Sequence, residues 1–218
     1  MTAISTYLVR PPKLIVDKNP LLLLLHGYGS NEADLFSFAA ELPDEYYVVS
    51  LQAPHDMQYG SYAWYSINFD ADASKFSDLG EARTSRNLVI STLDELQKKY
   101  PIDAQAVTLI GFSQGAILSY ALALSYPDRI QRVAALSGYL NTEIAAADYE
   151  ENNFASLQIF ASHGTVDQVI PVEWARKAPA SLTALGIAID FQEYPIGHGV
   201  SPQNFYDLRQ WLVATRVG

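Results

Sequence analysis

Ala106-Val107-Thr108-Leu109-Ile110-Gly111-Phe112-Ser113-Gln114-Gly115-Ala116-Ile117-Leu118-Ser119-Tyr120-Ala121-Leu122-Ala123-Leu124 decides how this chain is read. The run before Gly111 is apolar and partly β-branched, as a buried strand would be. The run from Ala116 to Leu124 reads as a buried helix. Between them stands Gly-x-Ser-x-Gly, the pattern of a sharp turn that thrusts its central serine out of the fold on a strained backbone. Glycines at both ends let strand and helix approach closely. Ser113 would then sit at the start of a helix, where backbone N–H groups favour negative charge. A lone Gly-x-Ser-x-Gly also arises by chance in loops, so the flanking strand and helix carry the reading.

Outward from this stretch, strands alternate with helices. Leu21–Leu25 is a fully apolar strand, as one covered on both faces would be. A helix is expected from Asn31, with Glu32 and Asp34 in its first turn, closed by Pro43. Tyr46–Leu51, Ile130–Leu136, Leu157–Ala161 and Ile187–Tyr194 are further strands. Glu81–Tyr100 places Ala82, Val89, Leu93, Leu96 and Tyr100 on one helical face. Pro171–Leu185 is helical, and Pro179 inside it predicts a kink or a late start. Ser201 and Pro202 open a last helix with Phe205, Leu208 and Leu212 inward. Ile4–Arg10 and Leu14–Asp17, split by Pro11-Pro12, predict an edge hairpin. This alternation is that of a mostly parallel sheet covered by helices on both faces, an α/β fold. In such folds catalytic groups collect at the carboxyl ends of the strands.

The chain has 218 residues, 49% of them hydrophobic, enough for one sizeable domain spanning 1–218. A formal net charge of −10 disfavours nucleic acid and anionic membranes as partners. With no cysteine, disulfides, thiolate metal sites and a cysteine nucleophile are excluded. Met1–Thr6 lacks the regions of a signal peptide, and Leu21–Leu25 is too short to span a bilayer. A cytoplasmic protein without stable membrane insertion is expected.

A serine hydroxyl needs a base to take its proton, and the base needs a third group to orient it. In a strand–turn–helix setting of this kind the chain order is serine, acid, histidine. Only His163 and His198 follow Ser113. With His163 as base, Asp128 or Asp148 would be the acid. With His198, in Tyr194-Pro195-Ile196-Gly197-His198-Gly199, Asp167 fits the order, because it lies between a strand end and a helix start. Taken alone, Asp167 reads equally as a helix cap and His198 as a solvated loop residue. Ser113 would attack a carbonyl carbon, His198 would carry the proton, and Asp167 would hold the imidazole. The oxyanion would face the backbone N–H of Gln114 and one from the loop after Leu25, at Tyr28. No metal or other cofactor is needed. His26 is read as bracing that loop, and His55 as solvated.

Leu25-His26-Gly27-Tyr28-Gly29, Gly111-Phe112-Ser113-Gln114-Gly115, His163-Gly164-Thr165-Val166-Asp167-Gln168-Val169-Ile170-Pro171 and Gly197-His198 together resemble a known family. It is the phospholipase/carboxylesterase family of α/β-hydrolases, which includes the acyl-protein thioesterases. The resemblance covers almost the whole chain. It implies an α/β-hydrolase without a large cap domain, acting as a serine esterase on small-molecule carboxylic esters or thioesters. It implies an oxyanion hole at Tyr28 and Gln114, and substrate-pocket roles for Trp64 and Val169. Ala116 stands where many members have a further glycine, and Tyr28 where leucine is common.

Trp64 belongs to a long segment, Pro54–Gly80, which also holds Tyr59, Tyr62, Tyr65, Phe69 and Phe76. Its aromatics either pack over the sheet edge or wall an acyl site, and the second reading is favoured. Three activities stay open. The chain is an esterase for short to medium acyl chains, a lysophospholipase or acyl-protein thioesterase on the same triad, or a non-catalytic binding module. Exposed apolar surface around an open site is compatible with a homodimer.

Overall fold

The computed structural model describes residues 3–67 and 77–215; Phe69 and Phe76 of the aromatic segment lie outside them. In chain order the elements are β1 (Tyr7–Arg10), β2 (Asn19–Leu25), α1 (Ala33–Phe36), β3 (Tyr47–Leu51), β4 (His55–Asp56), β5 (Tyr62–Ala63), α2 (Leu79–Lys99), β6 (Ile102–Phe112), α3 (Gln114–Ser125), β7 (Arg132–Leu136), β8 (Gln158–Gly164), α4 (Val172–Ala175), α5 (Ala178–Ala184), β9 (Ala188–Tyr194) and α6 (Pro202–Ala214). Seven strands form one sheet in the order β1-β3-β2-β6-β7-β8-β9. Within this sheet, among the described residues, only β1 runs antiparallel to its neighbour, and β4 and β5 pair antiparallel with each other apart from it.

The leucine run shows why the sheet is covered twice. Side chains alternate across a strand. Leu21, Leu23 and Leu25 enter one core with α2, α3 and α5, while Leu22 and Leu24 enter another with residues of α1 and α6. An apolar run with no polar alternation is stable only in such a double-sided setting. Helix α3 is buried from Gln114 to Leu124, as a helix apolar all round must be. It lies tight against the sheet: a Cβ on Gly115 would stand 2.0 Å from the carbonyl oxygen of Leu25.

Two elements differ from the sequence expectation, and a third takes one of the two forms expected of it at Pro179. Leu14–Asp17 is not a strand, and β1 pairs with β3 instead of closing a hairpin. The Asn19 side chain binds the Leu14 carbonyl and the Val16 N–H, the groups such a strand would need. Leu14, Ile15 and Val16 are left exposed. The helix after Asn31 is a single turn, followed by turns to Glu41. The helix expected over Pro171–Leu185 is two pieces, with Pro179 in the first turn of the second. Proline needs no N–H there, so the late start avoids the cost of an interior proline.

Candidate active site

Strand β6 ends in Phe112, and the chain turns through Ser113 into α3. Ser113 has φ 52° and ψ −115°, a region that side-chain-bearing residues avoid. The turn is held by its neighbours: Ser113 N–H donates to the Leu136 carbonyl at 2.8 Å, and the Ser113 carbonyl accepts the N–H groups of Ala116 and Ile117. The strain leaves the hydroxyl facing the ends of β8 and β9.

His198 follows β9. Ser113 Oγ lies 2.9 Å from His198 Nε2, and His198 Nδ1 lies 2.7 Å from Asp167 Oδ2. The Asp167 side chain is fully buried. Its Oδ1 accepts the N–H groups of Val169 at 2.8 Å and Ile170 at 3.0 Å. The carboxylate is thus oriented by its own loop, and its second oxygen is directed at the imidazole. His198 Nδ1 must carry hydrogen to donate there, which leaves Nε2 to accept from the serine. The helix-cap reading of Asp167 does not apply, because its bonds go to its own loop and to His198.

Backbone contacts hold the His198 loop. Thr165 N–H donates to the Tyr194 carbonyl at 2.8 Å, and Val166 N–H to the Ile196 carbonyl at 3.2 Å. Gly164 permits this approach: a Cβ there would stand 2.3 Å from the carbonyl oxygens of both Gly197 and Ile196. Ser137, at the end of β7, also has a positive φ of 53°, and its hydroxyl donates to the Gly199 carbonyl at 3.0 Å. Sequence reasoning missed Ser137, because a polar residue after a strand carries no distinguishing pattern.

A cavity of about 130 Å³ opens at the serine, lined by Tyr28, Ile67, Gln114, Ile117, Val169, Ile170 and His198 besides Ser113 itself. Tyr28 and Gln114, expected at the oxyanion hole, both border it, as does Val169. Gln114 is the first residue of α3, so its N–H needs no partner within the helix. The loop bearing Tyr28 is pinned to β5 by Gly29 N–H to the Tyr62 carbonyl (2.9 Å) and Tyr62 N–H to the Ser30 carbonyl (2.7 Å). His26 braces the same loop. Its Nδ1–H donates to the Gly27 carbonyl at 2.7 Å, and its Nε2 accepts from Ala53 N–H at 3.0 Å. Burial disfavours its charged form and lowers its pKa.

Trp64 is a correction. It is absent from the cavity lining and fully buried behind it. Its ring packs on His26 at 5.5 Å between centroids, and its indole N–H donates to the His26 carbonyl at 2.9 Å. The indole finds both an apolar bed and an acceptor in the core, so it supports the Tyr28 loop and does not wall the pocket. Beside Val169, the apolar wall comes from Ile67, Ile117 and Ile170, none of which was expected to line the pocket. His163 is buried, with Nε2 2.8 Å from the Ile170 carbonyl and 3.3 Å from Asp167 Oδ2, and His198, not His163, is the imidazole within reach of Ser113. His55 sits half-buried in β4.

Comparison with known proteins points the same way. A profile of the family described as Phospholipase/Carboxylesterase matches residues 13–216. A probable carboxylesterase of Oryza sativa subsp. japonica is 30% identical over 112 residues, covering 51% of this chain and 42% of that protein. Lysophospholipase-like protein 1 of Mus musculus is 26% identical over 133 residues, covering 60% and 55%. The matched stretch thus spans about half the length of these two relatives. Acyl-protein thioesterase 1 of Mycosarcoma maydis is 25% identical with 97% of each chain covered. Among solved structures, esterase PE8 superimposes with a TM-score of 0.81 at 25% identity, over 95% of this chain and 97% of that one. Bacillus cereus carboxylesterase does so with a TM-score of 0.82 at 21% identity, over 96% and 93%. Among the described residues no helix is long and apolar enough to cross a membrane.

Proposed function

The chain belongs to the phospholipase/carboxylesterase family, and from that premise we propose that it is a serine hydrolase cleaving carboxylic esters through an acyl-enzyme. The observation that carries this reading is the unbroken line from Ser113 Oγ through the His198 ring to Asp167 Oδ2, with separations of 2.9 and 2.7 Å. As the hydroxyl attacks the carbonyl carbon, its proton passes to His198 Nε2. Asp167 stabilises the imidazolium and does not itself take the proton. The oxyanion faces the backbone N–H groups of Tyr28 and Gln114 at the cavity edge. One such donor is worth about 3 kcal/mol in other hydrolases. His198 then gives the proton to the leaving alcohol, and water repeats the sequence on the acyl-enzyme.

The cavity supports short to medium acyl chains. Its space of about 130 Å³ is small beside ordinary ligand pockets, and its isoleucines and valine offer an apolar surface with little polar competition. A thioesterase or lysophospholipase reading shares every catalytic group. It is favoured by the end-to-end match to a fungal acyl-protein thioesterase.

Ser113→Ala should lower hydrolysis of p-nitrophenyl butyrate by about 10⁴-fold or more. It should also abolish labelling by a fluorophosphonate while circular dichroism stays that of the parent. Activity surviving in that variant would overturn the reading. A series of p-nitrophenyl esters and acyl thioesters from C2 to C16 separates the two substrate classes, and a peak at C2–C6 esters is expected.

A further inference from the structure

We infer that His163, which the proton relay does not use, is a positioning residue that acts on the reaction through Asp167. This rests on the serine-hydrolase reading above. The side chain of His163 is completely buried at the end of β8. Its Nε2 lies 3.3 Å from Asp167 Oδ2, the same oxygen that receives His198 Nδ1–H at 2.7 Å. Its Nε2 also lies 2.8 Å from the Ile170 carbonyl. Both neighbours of Nε2 are acceptors, so that nitrogen carries the hydrogen.

The bonds close a ring. Ile170 N–H donates to Asp167 Oδ1 at 3.0 Å, the Ile170 carbonyl accepts from His163, and the same imidazole N–H borders Oδ2. Ile170 in turn lines the cavity at Ser113. His163 therefore ties the carboxylate orientation to the pocket wall. It also places a partly positive hydrogen beside the oxygen that must stabilise the imidazolium.

A packing role alone does not account for an imidazole here. Its Nδ1 is buried with no hydrogen-bond partner among the described residues, and an apolar side chain would fill the site without that desolvation. The neighbouring charge on the sheet is otherwise engaged. Glu193, paired with His163 across β8 and β9, is held by Arg176 through two contacts of 2.7 Å.

Three variants test this: His163→Leu, which removes the donor, His163→Gln, whose amide N–H reaches the Nε2 position, and His163→Asn, whose amide reaches only the Nδ1 position. With p-nitrophenyl butyrate, His163→Leu should lose about 10- to 100-fold in kcat, as small misplacements of catalytic groups do. KM should change little, and fluorophosphonate labelling of Ser113 should slow by the same factor. His163→Gln should recover kcat to within a few-fold of the parent, and His163→Asn should not. If His163→Leu does not fold, the Gln and Asn pair decides alone. Equal impairment of Gln and Asn, or a folded His163→Leu with parental kcat, would overturn the inference. A Ser113→Ala control that stays active would overturn the hydrolase reading instead, so the two failures are distinct.

Discussion

Ser113 concentrates the conflict between stability and chemistry in one residue. Its φ of 52° with ψ −115° suits glycine and costs a serine about 1–3 kcal/mol. Ser113→Gly should therefore abolish hydrolysis yet raise Tm by a few degrees, once glycine's greater freedom in the unfolded chain is subtracted. Differential scanning calorimetry beside an activity assay checks both. His26 sets a different balance. Both ring nitrogens are occupied in the neutral form, and burial holds its folded pKa below the ordinary value near 6.5. Below about pH 6.5 the unfolded chain binds the proton more readily, so stability falls as pH drops through that value. Urea denaturation at pH 7.5 and 5.5 should show this loss. In His26→Gln the dependence should be shallower, although the variant is less stable at both pH values.

At the scale of elements, Trp64 and Tyr65, directly after β5, take backbone partners from the side chains of two helices. From α3, the Gln114 amide accepts from Trp64 N–H at 2.8 Å and donates to the Tyr65 carbonyl at 2.7 Å. From α2, the Ser85 hydroxyl donates to the Trp64 carbonyl. Gln114→Ala would leave a buried N–H and carbonyl without these partners, costing about 2–4 kcal/mol. Hydrogen exchange should show the Trp64 amide losing protection more than those of the central strands. This dependence on distant side chains explains why sequence reading misplaced Trp64. An aromatic-rich run does not say which of its rings turns into the core, because for Trp64 that depends on helices remote in the chain. Leu14–Asp17 shows the same limit in reverse, since its apolar residues read as a strand until Asn19 claims their backbone.

Across the whole molecule, the candidate site is a meeting of strand ends. β6, β7, β8 and β9 lie side by side in the sheet, and the residues after them supply Ser113, Ser137, Asp167 and His198. Gly164 is where two of these loops touch. Gly164→Ala would drive a methyl against two carbonyls 2.3 Å away. The His198 loop should then retreat, lowering kcat/KM by about 100-fold, with the loss in kcat more than in KM. Steady-state kinetics with a crystal structure of the variant would check the displacement.

The α/β architecture and the order serine, acid, histidine were legible in the chain itself. Apolar runs, glycines and strand–turn–helix punctuation are local features, and parallel sheets bring successive strand ends to one edge. The pocket wall of Ile67, Ile117 and Ile170, the bracing by Trp64, the hydroxyl of Ser137 and the ring closed by His163 came only with tertiary structure. Each depends on which face of an element turns inward and which distant group meets it. Side-chain contacts of that kind are made across the chain, so no local pattern records them.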